Sequence, residues 1–147
     1  MNPPAIRRAG PEDIPSLQEL EQRAPGAAHW PAKEYQKLIA TGCVLVAEAE
    51  GQICGMLCAK PTGAEWELEN IVVKQEFRRR GVADSLMLAL LKRTASEAEA
   101  TIFLEVRESN LPARRLYEKH RFRESGRRRS YYQNPPEDAI VYARLVP

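Results

Sequence analysis

The segment "EWELENIVVKQEFRRRGVADSLMLALLKRTA", residues 65–95, constrains the fold more than any other part of the chain. Its first nine residues read as a strand, with Trp66, Leu68, Asn70 and Val72 expected on one face and Glu67, Glu69, Ile71 and Val73 on the other. From about Val82 to Ala95 the period changes, and Ala83, Leu86, Met87, Leu90 and Leu91 form the apolar stripe of a helix. Between the two lie Arg78, Arg79, Arg80 and Gly81. A strand, a glycine turn and a helix in that order create a place for an anion. The first helical turn presents unpaired N–H groups and the positive end of the macrodipole, and the arginines add charge. Gly81 has no Cβ, so a pyrophosphate could approach the backbone closely. Neither G-x-x-x-x-G-K-S/T nor G-x-G-x-x-G occurs, which excludes an ordinary triphosphate loop and a Rossmann turn.

The remaining chain fits the same α/β order. "AIRRAG" is a short strand, and "PEDIPSLQELEQRA" a helix with Ile14, Leu17 and Leu20 at helical spacing. A second short helix runs through "AKEYQKLIA" and ends at Gly42, as helices commonly end at glycine. "CVLVAEAE" and "ICGMLCAK" form a hairpin about a Gly51-Gln52 turn, and a further turn at Pro61 to Gly63 leads into the strand at 65–73. "TIFLEV" is a strand, "ESNLPARRLYEKH" a helix capped by Ser109 or Asn110, and "AIVYARLV" the closing strand. No repeat or linker interrupts the 147 residues, so one domain spanning 1–147 is expected.

Charge narrows the partner. Residues 78–129 hold 14 Lys and Arg against 7 Asp and Glu, while the rest hold 8 against 13. A polyanionic partner suits this bias: a nucleotide, a phosphate-bearing cofactor or a nucleic acid. Three cysteines, Cys43, Cys54 and Cys58, lie in apolar stretches and read as buried thiols, with no disulfide framework and no metal site expected. No apolar run spans a bilayer and the start lacks the apolar core of a signal peptide, so a cytoplasmic protein is expected.

"RRRGVA" resembles the acyl-coenzyme A loop of the GNAT superfamily of N-acetyltransferases, R/Q-x-x-G-x-G/A, with Arg78, Gly81 and Ala83 in its fixed places. The flanking "NIVV", "LEVRESN", "LYEKHRF", "RSYYQNP" and "EDAIVY" extend the resemblance over nearly the whole chain. Within the family it most resembles the RimI-like bacterial ribosomal-protein N-terminal alanine acetyltransferases. The resemblance implies a central, mostly antiparallel sheet flanked by about four helices. It implies acetyl-coenzyme A as cosubstrate, no metal, and a protein N-terminus (a ribosomal protein among the candidates) or a small amine as acceptor. A monomer or weak dimer is expected, without membrane or direct nucleic-acid binding. Ile71, Val72 and Val73 would offer backbone groups to the pantetheine arm and thioester. Arg78 begins the loop, and Arg79, Arg80, Gly81, Val82, Ala83 and Asp84 would wrap the pyrophosphate. Asn110 would hydrogen-bond the cofactor arm, Glu105 would take a proton from the amine, and Tyr117, at the cofactor, would donate one to the departing thiolate.

The residues support these roles on chemical grounds. Glu105 is a charge at the end of an otherwise apolar strand, which is unusual and often functional. An α-amine, with a pKa of about 7.7–8.0, needs little help to deprotonate, whereas a lysine at about 10.4 needs about 4 kcal/mol more. Other readings stand beside these. Glu105 could bridge to Arg107 or Arg114, and Glu67 and Glu69 compete as bases. Tyr117 could be a core aromatic beside Phe122, Asn110 a helix cap, and the arginine triplet a solvated turn. "RRRSYYQ", with Arg127 to Arg129, could be a solvated strand, a substrate loop or a ribosome contact, and Gln133 to Pro136 reads as a loop near the acceptor. Glu69 and the alanine-rich "RAPGAAHWPAKEY" depart from the RimI-like pattern and bear on the acceptor. A lysine or small-molecule acceptor, or a non-catalytic acyl-coenzyme A or nucleic-acid binding module, are the alternatives.

Overall fold

Apolar alternation and helical stripes resolve into one seven-stranded sheet with helices on both faces. The computed structural model describes residues 3–24, 29–96 and 100–147. In chain order the elements are β1 (Ala5–Arg8), α1 (Ile14–Gln22), α2 (Ala32–Thr41), β2 (Cys43–Ala49), β3 (Gln52–Thr62), β4 (Glu65–Val73), α3 (Val82–Ala95), β5 (Ala100–Arg107), α4 (Leu111–Lys119), β6 (Arg123–Tyr132) and β7 (Glu137–Val146). The strand order is β1-β2-β3-β4-β5-β7-β6. Every neighbouring pair is antiparallel except β4 and β5, which are joined through α3 and run parallel.

Each face of the sheet buries its own core. On one face Leu86, Met87 and Leu90 of α3 are fully buried against Leu57, Ile102 and Leu104, with Tyr117 of α4 and Phe122 in the same cluster. On the other, Leu17 and Leu20 of α1 and Tyr35 and Leu38 of α2 pack on Val44, Val46, Met56 and Cys58. Burial stabilises each such leucine by about 1.5–3 kcal/mol. The three cysteines are free and buried, as their apolar context predicts.

Several boundaries depart from the sequence expectation. Helical hydrogen bonding from Pro11 is at first 3-10, and α1 begins at Ile14 with Pro15 in its first turn, where a missing N–H costs nothing. The first hairpin turns at Glu50 and Gly51, both at positive φ as a two-residue loop requires, one residue earlier than expected. Pro61 is inside β3, opposite Trp66, where β2 no longer flanks the strand, so a proline breaks no ladder; the turn is at Gly63 and Ala64. Gly42 ends α2 without a left-handed cap (φ −117°). Its small size is needed because a Cβ there would lie 2.7 Å from the Ala59 carbonyl oxygen.

The most consequential departure is in β4. Cys58 pairs with Asn70 and Ala59 with Leu68, so Glu69 is an extra residue, a β-bulge. The bulge reverses the alternation: Trp66 and Leu68 share the α3 face with Ile71 and Val73, while Val72 joins the α1–α2 core. The single-face assignment of Trp66, Leu68, Asn70 and Val72 is therefore corrected, because strict alternation assumes an unbroken ladder.

Candidate active site

The site begins where two parallel strands part. β4 and β5 pair at only three positions, Glu65 with Thr101, Trp66 with Ile102 and Glu67 with Phe103. Past these the two strands lose their mutual hydrogen bonds, while β5 keeps β7 as a partner as far as Arg107. The unpaired flank of β4 carries Ile71, Val72 and Val73. The C-terminal ends of both strands lead into helix N-termini, α3 after β4 and α4 after β5.

The loop between β4 and α3 is open backbone. Arg79 and Gly81 have φ of 63° and 78°. Ser85 N–H to Gly81 C=O, at 3.0 Å, is the bond that starts α3, and no backbone carbonyl of the described residues outside a helix or strand accepts from the N–H groups of residues 79–84. A Cβ at Gly81 would meet nothing within 4 Å. Glycine suits the left-handed conformation there, and the open space beside it leaves the loop backbone accessible to a ligand. The arginines divide their work. Arg78 Nε donates to the Val73 carbonyl at 3.4 Å, Arg80 lies 5.0 Å over the Phe77 ring and 3.6 Å from Glu50, and Arg79 has no partner among the described residues. Asp84, in the first turn of α3, points its carboxylate at Lys119 (3.0 Å) and His120 (2.8 Å) at the end of α4. Burial would raise the pKa of Asp84, but these hydrogen bonds outweigh it and hold the carboxyl below its ordinary value. The loop thus keeps its open N–H groups while this acid is engaged elsewhere. A shallow cavity of about 300 Å³ lined by Leu20, Arg23, Val72, Val73 and Arg78 adjoins the loop. A larger one, about 380 Å³, lies beside Ser16, Glu48 and Gln52 and shares Lys74 with the first.

Asn110 caps α4, its Oδ1 accepting from Ala113 N–H at 3.3 Å, which leaves the amide N–H₂ without a partner among the described residues. Asn70 Nδ2 is likewise an orphaned donor, and it is buried, on the stretch of β4 that β5 no longer pairs. Open N–H groups at a helix start, two free amide donors and an unpaired strand flank suit a ligand rich in acceptors: a pyrophosphate carrying an amide-bearing arm and an acyl carbonyl.

Two titratable groups flank the end of β5. Ala100, Ile102, Leu104 and Val106 enter the α3–α4 core, so Glu105 projects to the opposite face. Its side chain is 12% exposed and meets Arg128 Nε at 3.1 Å, and Glu105 raises the pKa of the nearby Tyr131 hydroxyl. The expected partners are elsewhere: Arg107 bonds Glu137, and Arg114 bonds Glu124 and Tyr142. On the same side of the opening Lys60 bridges Glu69 at 2.8 Å and Glu67 at 3.8 Å. Burial, then the charges of Glu69 and Glu105, raise the pKa of Glu67 against the pull of Lys60. Tyr117 lies in the core on the α3–α4 side, its ring 6.1 Å from both Phe122 and Tyr142. Its hydroxyl makes no hydrogen bond among the described residues, and burial raises its pKa, so at neutral pH it holds its proton.

β6 supplies what the sequence reading left open. It is an exposed edge strand in which Arg129, Ser130 and Tyr131 stand opposite the single residue Asp138. Asp138 fixes this bulge by accepting from Ser130 N–H and from Arg127, both at 2.8 Å. Arg127 also pairs with Glu108 at 2.6 Å. Arg107 holds the 133–136 loop through the carbonyls of Gln133 and Pro135. The segment "RAPGAAHWPAKEY" lies partly outside the described residues. Lys60 carried no local signal in the sequence; only the pairing of β3 with β4 brings it to the glutamates.

Among the described residues no group of acids, histidines and cysteines is placed to hold a metal, and no helix is long and apolar enough to cross a membrane. Residues 13–122 match the model of the acetyltransferase (GNAT) family. The chain is 33% identical to the ribosomal protein bS18-alanine N-acetyltransferase of Salmonella typhimurium over 89% of its own length and 90% of that protein's. The crystal structure of the ribosomal protein alanine N-acetyltransferase from Escherichia coli superposes with a TM-score of 0.86 at 29% identity, covering 97% of this chain and 94% of that one. Ard1 from Thermoplasma volcanium gives 0.89 at 25% identity, covering 99% of each. With the split sheet, the open loop before α3 and the full-length likeness together, the chain belongs to the GNAT acetyltransferase family and is an acetyl-coenzyme A-dependent N-acetyltransferase.

Proposed function

We propose that this protein is a cytoplasmic enzyme that acetylates the N-terminal α-amine of a protein beginning with alanine, a ribosomal protein being the leading candidate. One observation supports the reading: Glu105 projects from the sheet face opposite the α3–α4 core and is held by Arg128, while Tyr117 lies in that core on the other face. The relatives named for bS18-alanine acetylation support the acceptor.

Acetyl-coenzyme A supplies the thioester-activated acetyl group. The N–H groups of residues 79–84, with Arg79, would hold its pyrophosphate, and Asn110 and the 71–73 backbone its arm. The acceptor enters as an ammonium from the side of Glu67, Glu69 and Glu105. Glu105 receives a proton from the nitrogen, directly or through water. The nitrogen lone pair so freed attacks the acetyl carbon; as the C–S bond breaks, the Tyr117 hydroxyl, kept protonated by burial, gives a proton to the sulfur, and the second proton lost by the nitrogen replaces it through solvent. An α-amine needs only modest assistance near neutral pH, so one carboxylate suffices. The test compares turnover of acetyl-coenzyme A with a peptide beginning with alanine, the same peptide with a blocked N-terminus, and a polyamine. Turnover with the free peptide alone is the expected result. Equal turnover of the polyamine would assign the enzyme to small amines.

A further inference from the structure

Glu105 already holds a cation. Arg128 Nε sits 3.1 Å from its carboxylate, the distance at which an acceptor ammonium would stand. The two partners differ in exposure: the Arg128 side chain is 58% exposed and that of Glu105 12%. The arginine can therefore leave for water while the carboxylate stays. Tyr131 offers a resting surface, its ring 5.3 Å from the guanidinium carbon. The bulge held by Asp138 makes this arrangement. In a regular strand Arg128 and Tyr131 would point to opposite faces, and the extra residues opposite Asp138 bring both to Glu105. Its neighbour Arg127 is tied to two acids, so of the paired arginines on β6 Arg128 is the one on the acceptor face.

We infer that Arg128 is a resident counter-ion on Glu105 that the acceptor ammonium displaces, so that the acceptor is recognised by exchange of one cation for another. The inference rests on the reading of Glu105 as the group that receives the amine. Charge supports one-for-one exchange. Lys60 is committed to Glu69, and Glu67 already feels the charges of Glu69 and Glu105. Loss of Arg128 without replacement would leave adjacent carboxylates uncompensated. A blocked N-terminus carries no charge and cannot make the exchange. Arg128 is thus a specificity residue, acting through Glu105.

The experiment is a calorimetric titration of a peptide beginning with alanine into the full chain with coenzyme A present. It is run for wild type, R128Q, R128K, E105Q and the R128Q/E105Q double variant. With its competitor removed, R128Q should bind the peptide about two- to fivefold tighter, the range set by a partly exposed ion pair. R128K should return to the wild-type affinity, and R128Q should have no effect in the E105Q background. Weaker or unchanged binding by R128Q, or equal tightening with and without Glu105, would overturn the exchange while leaving the acetyltransfer reading intact. A wild-type protein that binds free and blocked peptides equally would overturn the α-amine reading itself, and the exchange with it.

Discussion

Tyr117 combines two properties that pull in different directions. Its ring packs between Phe122 and Tyr142 as a core aromatic does, yet its hydroxyl is unpartnered among the described residues and keeps its proton through burial. Tyr117→Phe separates them, because it preserves the packing and removes the donor. We expect kcat to fall by about 10²–10⁴-fold with little change in cofactor affinity; steady-state kinetics and calorimetry check this. For the base, Glu105→Gln should slow the reaction most at low pH, with recovery as pH passes the α-amine value of about 7.7–8.0. Glu67→Gln is the matching control. Its carboxyl pKa is raised by burial and by neighbouring acids, so its charge opposes folding as pH rises through that value. Removing the charge should raise the midpoint of thermal unfolding near pH 7 and leave kcat within a few-fold. A large loss of kcat would make Glu67 the base. Glu105 was legible as a charge in an apolar strand. Its partner was not: Arg128 lies on another strand and reaches Glu105 only through a bulge that no local pattern announces.

At the scale of elements, the β4–α3 unit was the most legible part of the molecule. Its boundaries follow from periodicity and from a glycine that adopts a left-handed conformation before a helix. The bulge at Glu69 escaped because it depends on the neighbouring strand: Cys58 and Ala59 are consecutive, while their partners skip a residue. Gly81→Asp places a negative charge beside the open N–H groups and should weaken acetyl-coenzyme A binding at least about tenfold by calorimetry. Gly81→Asn accepts the left-handed conformation without the charge and should bind more tightly than Gly81→Asp, which separates charge from backbone strain. At the other end of the sheet, Asp13 joins β1 to α1. Hydrogen bonds from Arg7 hold its pKa below the ordinary value, against burial and with help from the Gly10 N–H at 2.8 Å. A carboxylate with a depressed folded-state pKa adds stability that is complete above its unfolded value of about 3.9 and fades as pH falls through the lower one. Asp13→Ala should therefore lower unfolding stability by about 1–3 kcal/mol at pH 7, and urea titrations should show the gap closing below about pH 4.

Across the whole molecule the sheet brings together two halves of opposite character. The β1–β4 half, with α1 and α2, ends in the acidic pair Glu67 and Glu69, and the β5–β7–β6 half carries Arg107, Arg127 and Arg128 on their own acids. The β4–β5 opening lies between them, with the loop before α3 at one end and the carboxylates on one face. The charge bias of residues 78–129 was visible in the sequence, but part of it is spent on internal pairs, as with Arg127 and Arg114. The central claim is that this opening delivers an acetyl group to an α-amine. It is tested most directly with one peptide that carries both a free N-terminal alanine and an internal lysine, incubated with the enzyme and acetyl-coenzyme A, with the modified position mapped by mass spectrometry. The account predicts acetylation at the alanine nitrogen alone; acetylation at the lysine at an equal or greater rate would contradict it.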